Sequence, residues 1–198
     1  MNQQKIRKLK KKLRRHLDKE RYEHTLGVMY TAGAMAMAYQ VDMEKAIIAG
    51  LLHDCAKSIS SEKKIKLCQK YNLSINEFEK KNPGLLHAKL GASIAKEKYK
   101  ISDKEILDAI AYHTTGRPNM TLLDKIVYIA DYIEPNRSAA PNLDDVRRLA
   151  FVDIDACLYM IIKDSLDYLK TREMVVDIAT EQTFQFYEKQ IIKKQRKE

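Results

Sequence analysis

The sequence predicts an all-α fold, a single helical bundle built from the 198 residues of the chain. Apolar residues recur at helical spacing along most of the chain, and no stretch alternates with the period of a strand over a sufficient length. All prolines fall between the periodic segments, where a missing N–H costs least. With 45% hydrophobic residues, the chain is long enough to bury a substantial core, so one domain over 1–198 is expected.

The first part of the chain is expected to form three helices. The first helix is basic and covers residues 1–17, with an apolar stripe at Ile6, Leu9, Leu13 and Leu17. The second runs from about residue 19 to 39, and the third from residue 43 to about 55. Glycine inside a helix costs up to ~1 kcal/mol relative to alanine. Close packing or backbone approach to a ligand is therefore expected at Gly27, Gly33, Gly50 and Gly91.

Later helices are marked by their first residues. Capping-box patterns occur at Ser74 with Glu77, Ser102 with Glu105, and Thr121 with Asp124. A second basic helix is expected over about 178–197, outside a core of about 19–170. No internal repeat or low-complexity linker divides the chain.

The formal net charge of +9 is concentrated at the two ends of the chain. Residues 1–15 hold eight Lys or Arg and no acid, and residues 189–198 hold five against one acid. Positions 16–188 carry 23 basic and 26 acidic residues, which is nearly balanced. Two solvated helix faces explain this pattern. Contact with RNA or the ribosome stays open as an alternative that the charge does not require.

Cysteine usage and hydropathy indicate a cytoplasmic protein without a membrane partner. Cys55, Cys68 and Cys157 are an odd number and contain no C-x-x-C pair, so no disulfide framework or zinc ribbon is predicted. No apolar run approaches the ~18–20 residues that cross a bilayer. The basic N-terminus lacks the apolar region and cleavage site of a signal peptide.

Polar residues of one chemical type interrupt or close the apolar stretches. They are His24, the His53-Asp54 doublet, His87, His113 and Asp131. A buried ionised carboxylate costs several kcal/mol unless a positive group pairs with it. Lys57 is the only Lys or Arg within four residues of Asp54, whereas a metal cation would satisfy the whole set. Imidazole and carboxylate suit divalent iron, manganese, zinc or magnesium.

The His53-Asp54 doublet is expected at the end of the third helix. Adjacent residues on a regular helix point about 100° apart, so both can address one cation only beyond the helix end. Asp54 could then bridge two metals, one oxygen to each. The chain shows neither a serine or cysteine nucleophile in an activating motif nor a Walker-type phosphate loop. The residues therefore favour metal-assisted hydrolysis of a phosphoanhydride or phosphoester.

Longer stretches identify a resemblance. The order His…His-Asp…Asp resembles the HD superfamily of metal-dependent phosphohydrolases. The sequence around these residues looks like that of the YqeK family, the symmetrical bis(5′-nucleosyl)-tetraphosphatases. The matching stretches are HTLGV at 24–28, LLHDCAK at 51–57, LLH at 85–87, AYHTTG at 111–116 and DKIVYIADYIEPNR at 124–137. The doublet alone is unspecific, whereas the last two stretches together are specific, and the similarity covers about residues 20–155.

The resemblance implies roles for particular residues. It places the metal ligands at His24, His53, Asp54 and Asp131, and iron as the favoured metal, one or two per chain. His87 and His113 would hold a second metal or bind phosphate. Asp54 and Lys57 would be catalytic. The implied substrate contacts are His87, His113, Thr114, Thr115, Gly116, Asp131 and Arg137, of which arginine suits bidentate phosphate binding.

Two stretches depart from the family pattern. Residues 138–141 read Ser-Ala-Ala-Pro where an aromatic-Pro-Gly turn is expected. Residues 172–180 lack the Ile-His-Pro motif of the family. The candidate nucleotide contacts in that segment are Arg172, Val175, Val176, Asp177 and Thr180.

The resemblance implies cleavage of diadenosine tetraphosphate at its centre into two ADP. Two other enzymes fit the same residues, a nucleotidase of the HD type and a guanosine polyphosphate hydrolase. A non-catalytic nucleotide sensor and an RNA- or ribosome-associated module are alternatives of a different class. The base preference and a homodimeric state stay open.

Overall fold

The computed structural model describes residues 2–196 as an all-α protein. Within that range the helices are α1 (Gln3–Leu13), α2 (Lys19–Ala38), α3 (Met43–Leu52), α4 (Ser61–Lys70), α5 (Glu77–Lys81), α6 (Leu86–Tyr99), α7 (Lys104–Tyr112), α8 (Leu122–Ile133), α9 (Leu143–Leu149), α10 (Ile154–Thr171) and α11 (Ile178–Gln195). A 3₁₀ turn covers Pro83–Leu85, and none of the described residues forms a strand. The predicted all-α fold is confirmed. No described helix combines the length and apolar character needed to cross a membrane.

Four helices form the centre of the bundle. α2 packs along α3 and against α8, and α7 contacts both α3 and α8. Their facing sides are apolar, with residues such as Val28, Leu51, Ile110, Ile126 and Ile129 fully buried. α6 covers α7 and α4, and α10 lies between α8 and α11. The interior of this bundle is where the polar residues converge.

The close approach of α2 and α3 depends on Gly50. A Cβ atom at this position would lie 3.1 Å from the backbone Cα of Met29 and 3.2 Å from the carbonyl oxygen of Val28. These atoms belong to the helix backbone and cannot move aside. Close packing therefore compensates for the low helix propensity of Gly50, as the sequence predicted.

The two terminal helices pack onto the bundle by their apolar sides. Ile6, Leu9 and Leu13 of α1 are buried in the common core. Tyr187 of α11 is fully buried, and its hydroxyl accepts a hydrogen bond of 2.9 Å from the backbone N–H of Met120. The basic side chains of α1 lie mostly on the exposed side.

Several helix boundaries differ from the sequence prediction. α1 ends at Leu13 and not at residue 17, although Leu17 is still buried. α3 ends at Leu52, three residues earlier than expected. The caps predicted at Ser74 and Ser102 are wrong, because Asn76 and Asp103 take these positions.

A neighbouring side chain explains each change of cap. The Asp103 carboxylate accepts from the N–H groups of Glu105 and Ile106. Asn76 forms a capping box with Glu79. Asp and Asn are at least as good N-caps as Ser, so the stronger acceptor close by sets the helix start. The capping box of Thr121 and Asp124 is present as predicted.

Candidate metal centre

Five elements contribute the predicted polar residues to one place. His24 lies within α2, and His87 is the second residue of α6. His53 and His113 are the C-cap residues of α3 and α7. Asp54 follows in the turn after α3, and Asp131 lies on α8. Only α3 and α7 end at these residues, so His53, Asp54 and His113 lie where the regular backbone stops, whereas His24, His87 and Asp131 project from within their helices.

Three of the histidines are oriented by the same local hydrogen bond. His53 Nδ1 donates to the carbonyl of Gly50 at 2.7 Å, and His113 Nδ1 donates to that of Ile110, also at 2.7 Å. His87 Nδ1 donates at 2.6 Å to Gly84. Each acceptor lies three residues earlier, and the last carbonyls of a helix have no partner within the helix. Because a carbonyl only accepts, each Nδ1 carries the proton, and in the neutral ring Nε2 is a bare acceptor.

His24 is oriented by a carboxylate instead. Its Nδ1 donates to Oε1 of Glu134 at 3.1 Å, and its Nε2 lies 3.0 Å from Oδ1 of Asp131. Glu134 itself is buried and also accepts from the N–H of Asn136 at 2.8 Å. A carboxylate behind an imidazole is the usual support of a metal-binding histidine, since it fixes the tautomer and the ring direction.

The four imidazoles form a row through the bundle. Their order is His24, His53, His113 and His87, with ring centroids 5.4, 4.9 and 5.0 Å apart. Neighbouring rings are nearly perpendicular, at 71° to 84°. The Nε2 atoms of the row face the carboxylates of Asp54 and Asp131.

Asp54 lies between the two halves of the row. Its Oδ2 is 3.5 Å from His53 Nε2, and its Oδ1 is 3.2 Å from His87 Nε2 and 3.6 Å from His113 Nε2. The side chain is only 2% exposed. Burial raises the pKa of Asp54, but the imidazoles of His53, His113 and His87 lower it by more than burial raises it. The carboxyl therefore stays ionised. Each oxygen thus faces a different set of histidines, the arrangement that a bridging carboxylate requires.

The other titratable groups respond to the same surroundings. Burial raises the pKa of Asp131, but the neighbouring imidazoles of His24, His53 and His113 bring it below its usual range. Burial lowers the pKa of His87 to about 4 despite the Asp54 carboxylate, so this ring is neutral near pH 7. Burial also lowers the pKa of His53, but Asp54 and Asp131 together raise it above its ordinary value. Two anionic carboxylates therefore face imidazole rings in the interior.

A divalent cation fits this donor set. His24 Nε2, His53 Nε2 and Asp54 Oδ1 are buried and have no hydrogen-bond partner. Two overlapping groups could each hold an ion, His24 with His53 and Asp131, and His53 with Asp54 and His113. The ligand atoms of each group lie within 4.8 Å of one another. Buried polar atoms without partners are rare, and ions held by these two groups would provide the missing partners, with His24 and His53 in the first group and Asp54 in the second.

Lys57, Thr114 and Arg137 lie next to this donor set. Lys57 Nζ is 3.2 Å from His87 Nε2 and 4.0 Å from Asp54 Oδ1. The Thr114 hydroxyl is 3.2 Å from His87 Nε2. Arg137 Nη2 donates to the carbonyl oxygen of Asp131 at 2.9 Å and to its Oδ1 at 3.2 Å. The chain beyond α8 thus folds back over Asp131.

Thr115 and Gly116 contact the C-terminal helix more than the interior. The N–H of Gly116 already donates to Tyr112, so it is not free for a phosphate in this conformation. Gly116 has a φ of +66°, and a Cβ atom there would lie 2.8 Å from Thr183 of α11. The carbonyl of Thr115 accepts from the Thr183 hydroxyl at 3.2 Å. This turn packs α7 against α11.

A cavity opens at each end of the imidazole row. One, of about 540 Å³, is lined by Arg21, His24, Glu134, Asn136 and Arg137. Ser138 and Ala139, from the stretch that differs from the family pattern, also line it. The other, of about 490 Å³, is lined near the centre by Lys57, His87, Thr114 and Thr115. Its outer wall is mainly apolar and contains Phe78, Leu85, Tyr128, Leu169, Met174 and Val175.

The segment 172–180 contributes only some of its candidate contacts to that second cavity. Val175, Asp177 and Thr180 line it. Val176 packs against the core, and the Arg172 guanidinium lies 5.6 Å from the ring centre of Tyr168.

Two residues near the centre were not predicted from the sequence. Arg21 Nη1 donates to Oδ2 of Asp54 at 3.0 Å, and Glu134 supports His24. Arg21 lies three residues before His24, and Glu134 lies three residues after Asp131, so helical spacing placed both near a candidate ligand. Such spacing is too common to single out either residue.

Known proteins resemble this chain over most of its length. The family model described as HD domain matches residues 21–136. A Bacillus subtilis (strain 168) protein named bis(5′-nucleosyl)-tetraphosphatase, symmetrical, is 41% identical over 83% of this chain and 87% of its own. A protein of the same name from Staphylococcus aureus (strain NCTC 8325 / PS 47) is 36% identical over 92% and 94%.

A solved structure of an HD superfamily hydrolase is also similar to this chain. The crystal structure of a predicted HD superfamily hydrolase involved in NAD metabolism, from Clostridium acetobutylicum, has a TM-score of 0.90 and 39% identity. The match covers 92% of this chain and 96% of that one. The matched family region contains His24, His53, Asp54 and Asp131, the residues that converge in the bundle. This protein belongs to the HD domain family.

Proposed function

We propose that this protein is a metal-dependent hydrolase that cleaves a dinucleoside tetraphosphate at its centre, converting diadenosine tetraphosphate into two ADP. The observation that carries the proposal is the row of inward-facing imidazoles with a cavity at each end. Such a row suits a substrate whose middle reacts and whose two halves extend to either side. The curated relatives that share most of their length with this chain bear the name of this activity.

The donor set defines the chemistry available at the centre. His24, His53, Asp54 and Asp131 would hold a divalent cation, with His87 and His113 as ligands of a second cation or as phosphate contacts. When bound, such a cation activates water and neutralises phosphate oxygens. The net reaction adds water across the central phosphoanhydride bond, and the bridging oxygen leaves with one ADP.

The surrounding side chains supply positive charge for the phosphates. Lys57 stands beside His87 at one end of the row, and Arg137 stands beside Asp131 at the other. Arg21, bound to Asp54, lines the same cavity as Arg137. Preorganised charges of this kind stabilise the additional negative charge of the transition state in a site that excludes water.

The apolar cavity suits a nucleoside. Its aromatic and aliphatic wall can pack against a purine ring, and Lys57 and His87 line the same cavity near the row. Val175, Asp177 and Thr180 would contact the nucleoside at this wall. Adenine is the proposed base.

Iron is the proposed metal, with manganese, zinc and magnesium as the other candidates for a site of imidazole and carboxylate. The three cysteines are free and buried, which supports a reducing cytoplasmic location. The proposed function does not require nucleic acid.

Metal analysis followed by product chromatography tests the proposal. The protein is purified without oxygen, its metal content is measured, and diadenosine tetraphosphate is added. ADP as the sole nucleotide product is expected. ATP with AMP would overturn central cleavage, and bound nucleotide without turnover in added Fe²⁺ or Mn²⁺ would indicate a sensor. Faster hydrolysis of mononucleotides or guanosine polyphosphates would instead favour the alternative enzymes.

A further inference from the structure

Lys64 is a buried lysine that none of the described carboxylates neutralises. It lies on α4 and is only 6% exposed, whereas its neighbours Lys63 and Lys66 face solvent. No described carboxylate lies within ion-pair distance of its ammonium group, and no hydrogen bond from it is present. Lysine is seldom covered to this extent without a partner, and here the stem is covered while the ammonium is not sealed from solvent and opens into a cavity. Its position therefore calls for an anion from outside the chain.

The surroundings of Lys64 show where that anion would lie. Lys64 lines the apolar cavity together with Lys57 and Phe78. Lys57 in turn contacts His87 at the end of the imidazole row. Two positive groups, Lys57 beside the imidazole row and Lys64, thus line a cavity whose outer wall is mainly apolar.

The charge state of Lys64 is consistent with this arrangement. Burial lowers the pKa of Lys64, the charge of Lys57 lowers it further, and the Asp54 carboxylate raises it by less. A phosphate placed between Lys57 and Lys64 would reverse the balance, since its negative charge would offset the repulsion between the two ammonium groups.

We propose that Lys64 binds the outer phosphate of the substrate half that occupies the apolar cavity, one phosphate away from the bond that is cut. This inference rests on the proposed function. The phosphate next to the cut lies at His87 and Lys57, the following phosphate lies at Lys64, and the nucleoside packs against the apolar wall. Lys64 thereby favours a nucleoside diphosphate half over a nucleoside monophosphate half.

A neutral variant of nearly equal length tests the role of the charge. Lys64→Met keeps the buried stem and removes the ammonium, and Lys63→Met makes the same change at an exposed position of the same helix. For each protein we measure KM and kcat with diadenosine tetraphosphate, and the Tm of the metal-free protein with and without ADP. Lys64→Arg, which restores a positive charge, is the second variant.

The expected results for Lys64→Met separate binding from packing. KM should rise at least tenfold, equivalent to about 1.4 kcal/mol, and the stabilisation by ADP should be lost. The Tm without ADP should stay the same or increase, because the Lys64 ammonium makes no ion pair whose loss would cost stability and methionine keeps the covered stem. Lys63→Met should match the wild type in all three measurements, and Lys64→Arg should recover part of the ADP stabilisation.

The opposite pattern would overturn the inference. If Lys64→Met leaves both KM and the Tm shift produced by ADP unchanged, Lys64 does not bind a substrate phosphate. A lower Tm in Lys64→Met, with ADP stabilisation not recovered by Lys64→Arg, would make it a packing residue. If the wild type does not produce ADP, the proposed function fails by itself, and the ADP melting shift still reports whether Lys64 binds an anion.

Discussion

Gly27→Ala should weaken metal binding without touching a metal ligand. Gly27 lies on α2 beneath the Glu134 carboxylate, and a Cβ atom there would be 2.3 Å from Oε2 of Glu134. Ordinary contacts begin near 3.4 Å, so the carboxylate would have to move by about 1 Å. The bond from His24 Nδ1 to Oε1 is already 3.1 Å long and would be lost.

The magnitude follows from the groups involved. Hydrogen bonds to a charged acceptor contribute about 1.5–3 kcal/mol each, and Glu134 accepts two, from His24 and from Asn136. Replacing glycine by alanine stabilises the helix by about 1 kcal/mol, because alanine has the higher helix propensity. Loss of the His24 bond alone, offset by the gain in helix propensity, should lower the stability of the metal-free protein by about 0.5–2 kcal/mol. Removing such carboxylate support typically lowers metal affinity about 10–100-fold.

The assay is a titration of the metal-free protein with a divalent cation against a competing chelator, with thermal unfolding measured in parallel. Gly33→Ala is the matched control, since it lies on the same helix and its Cβ atom would meet only the side chain of Ile47, at 3.1 Å. Its metal affinity should equal that of the wild type.

A double-mutant cycle shows whether Glu134 transmits the effect. Glu134→Ala should lower the affinity by a similar factor, and adding Gly27→Ala to it should lower the affinity no further. If the two losses are additive, or if Gly27→Ala binds metal like the wild type, the proposed support of His24 by Glu134 is refuted.

Three further predictions concern the centre itself. Asp54→Ala should abolish both turnover and metal retention, and His53→Ala or a chelator should lower the Tm because metal binding is coupled to packing; a variant at Asp54 that keeps both properties would contradict the site. Elemental analysis should give two metals per chain and one in His113→Ala, whereas one metal in both would assign that residue to substrate binding. Arg137→Ala should reduce transition-state stabilisation by about 2–4 kcal/mol in kcat/KM, with the metal content unchanged, and a drop in metal content would show that it mainly positions Asp131.

Local patterns in the chain were sufficient to predict the fold class and the helices. Apolar residues recur about once per helical turn because one face of each helix is buried, so their spacing along the chain reveals the helix. Errors arose where two good caps compete within one or two residues, as with Ser102 and Asp103. The HD resemblance could be recognised for a related reason, since the histidines interrupt or close apolar stretches and stand out against the residues around them.

The contacts that make these residues a site required the folded chain. His24 meets Glu134 across 110 positions, and Arg21 meets Asp54 across 33. No periodic pattern connects residues so far apart, because their distance depends on how α2, α3 and α8 pack. Lys64 is the clearest case. By residue type and by its charged neighbours it belongs on the surface, and only the packing of α4 over the cavity buries it. Helix formation follows from neighbours along the chain, whereas burial and charge pairing follow from neighbours in space.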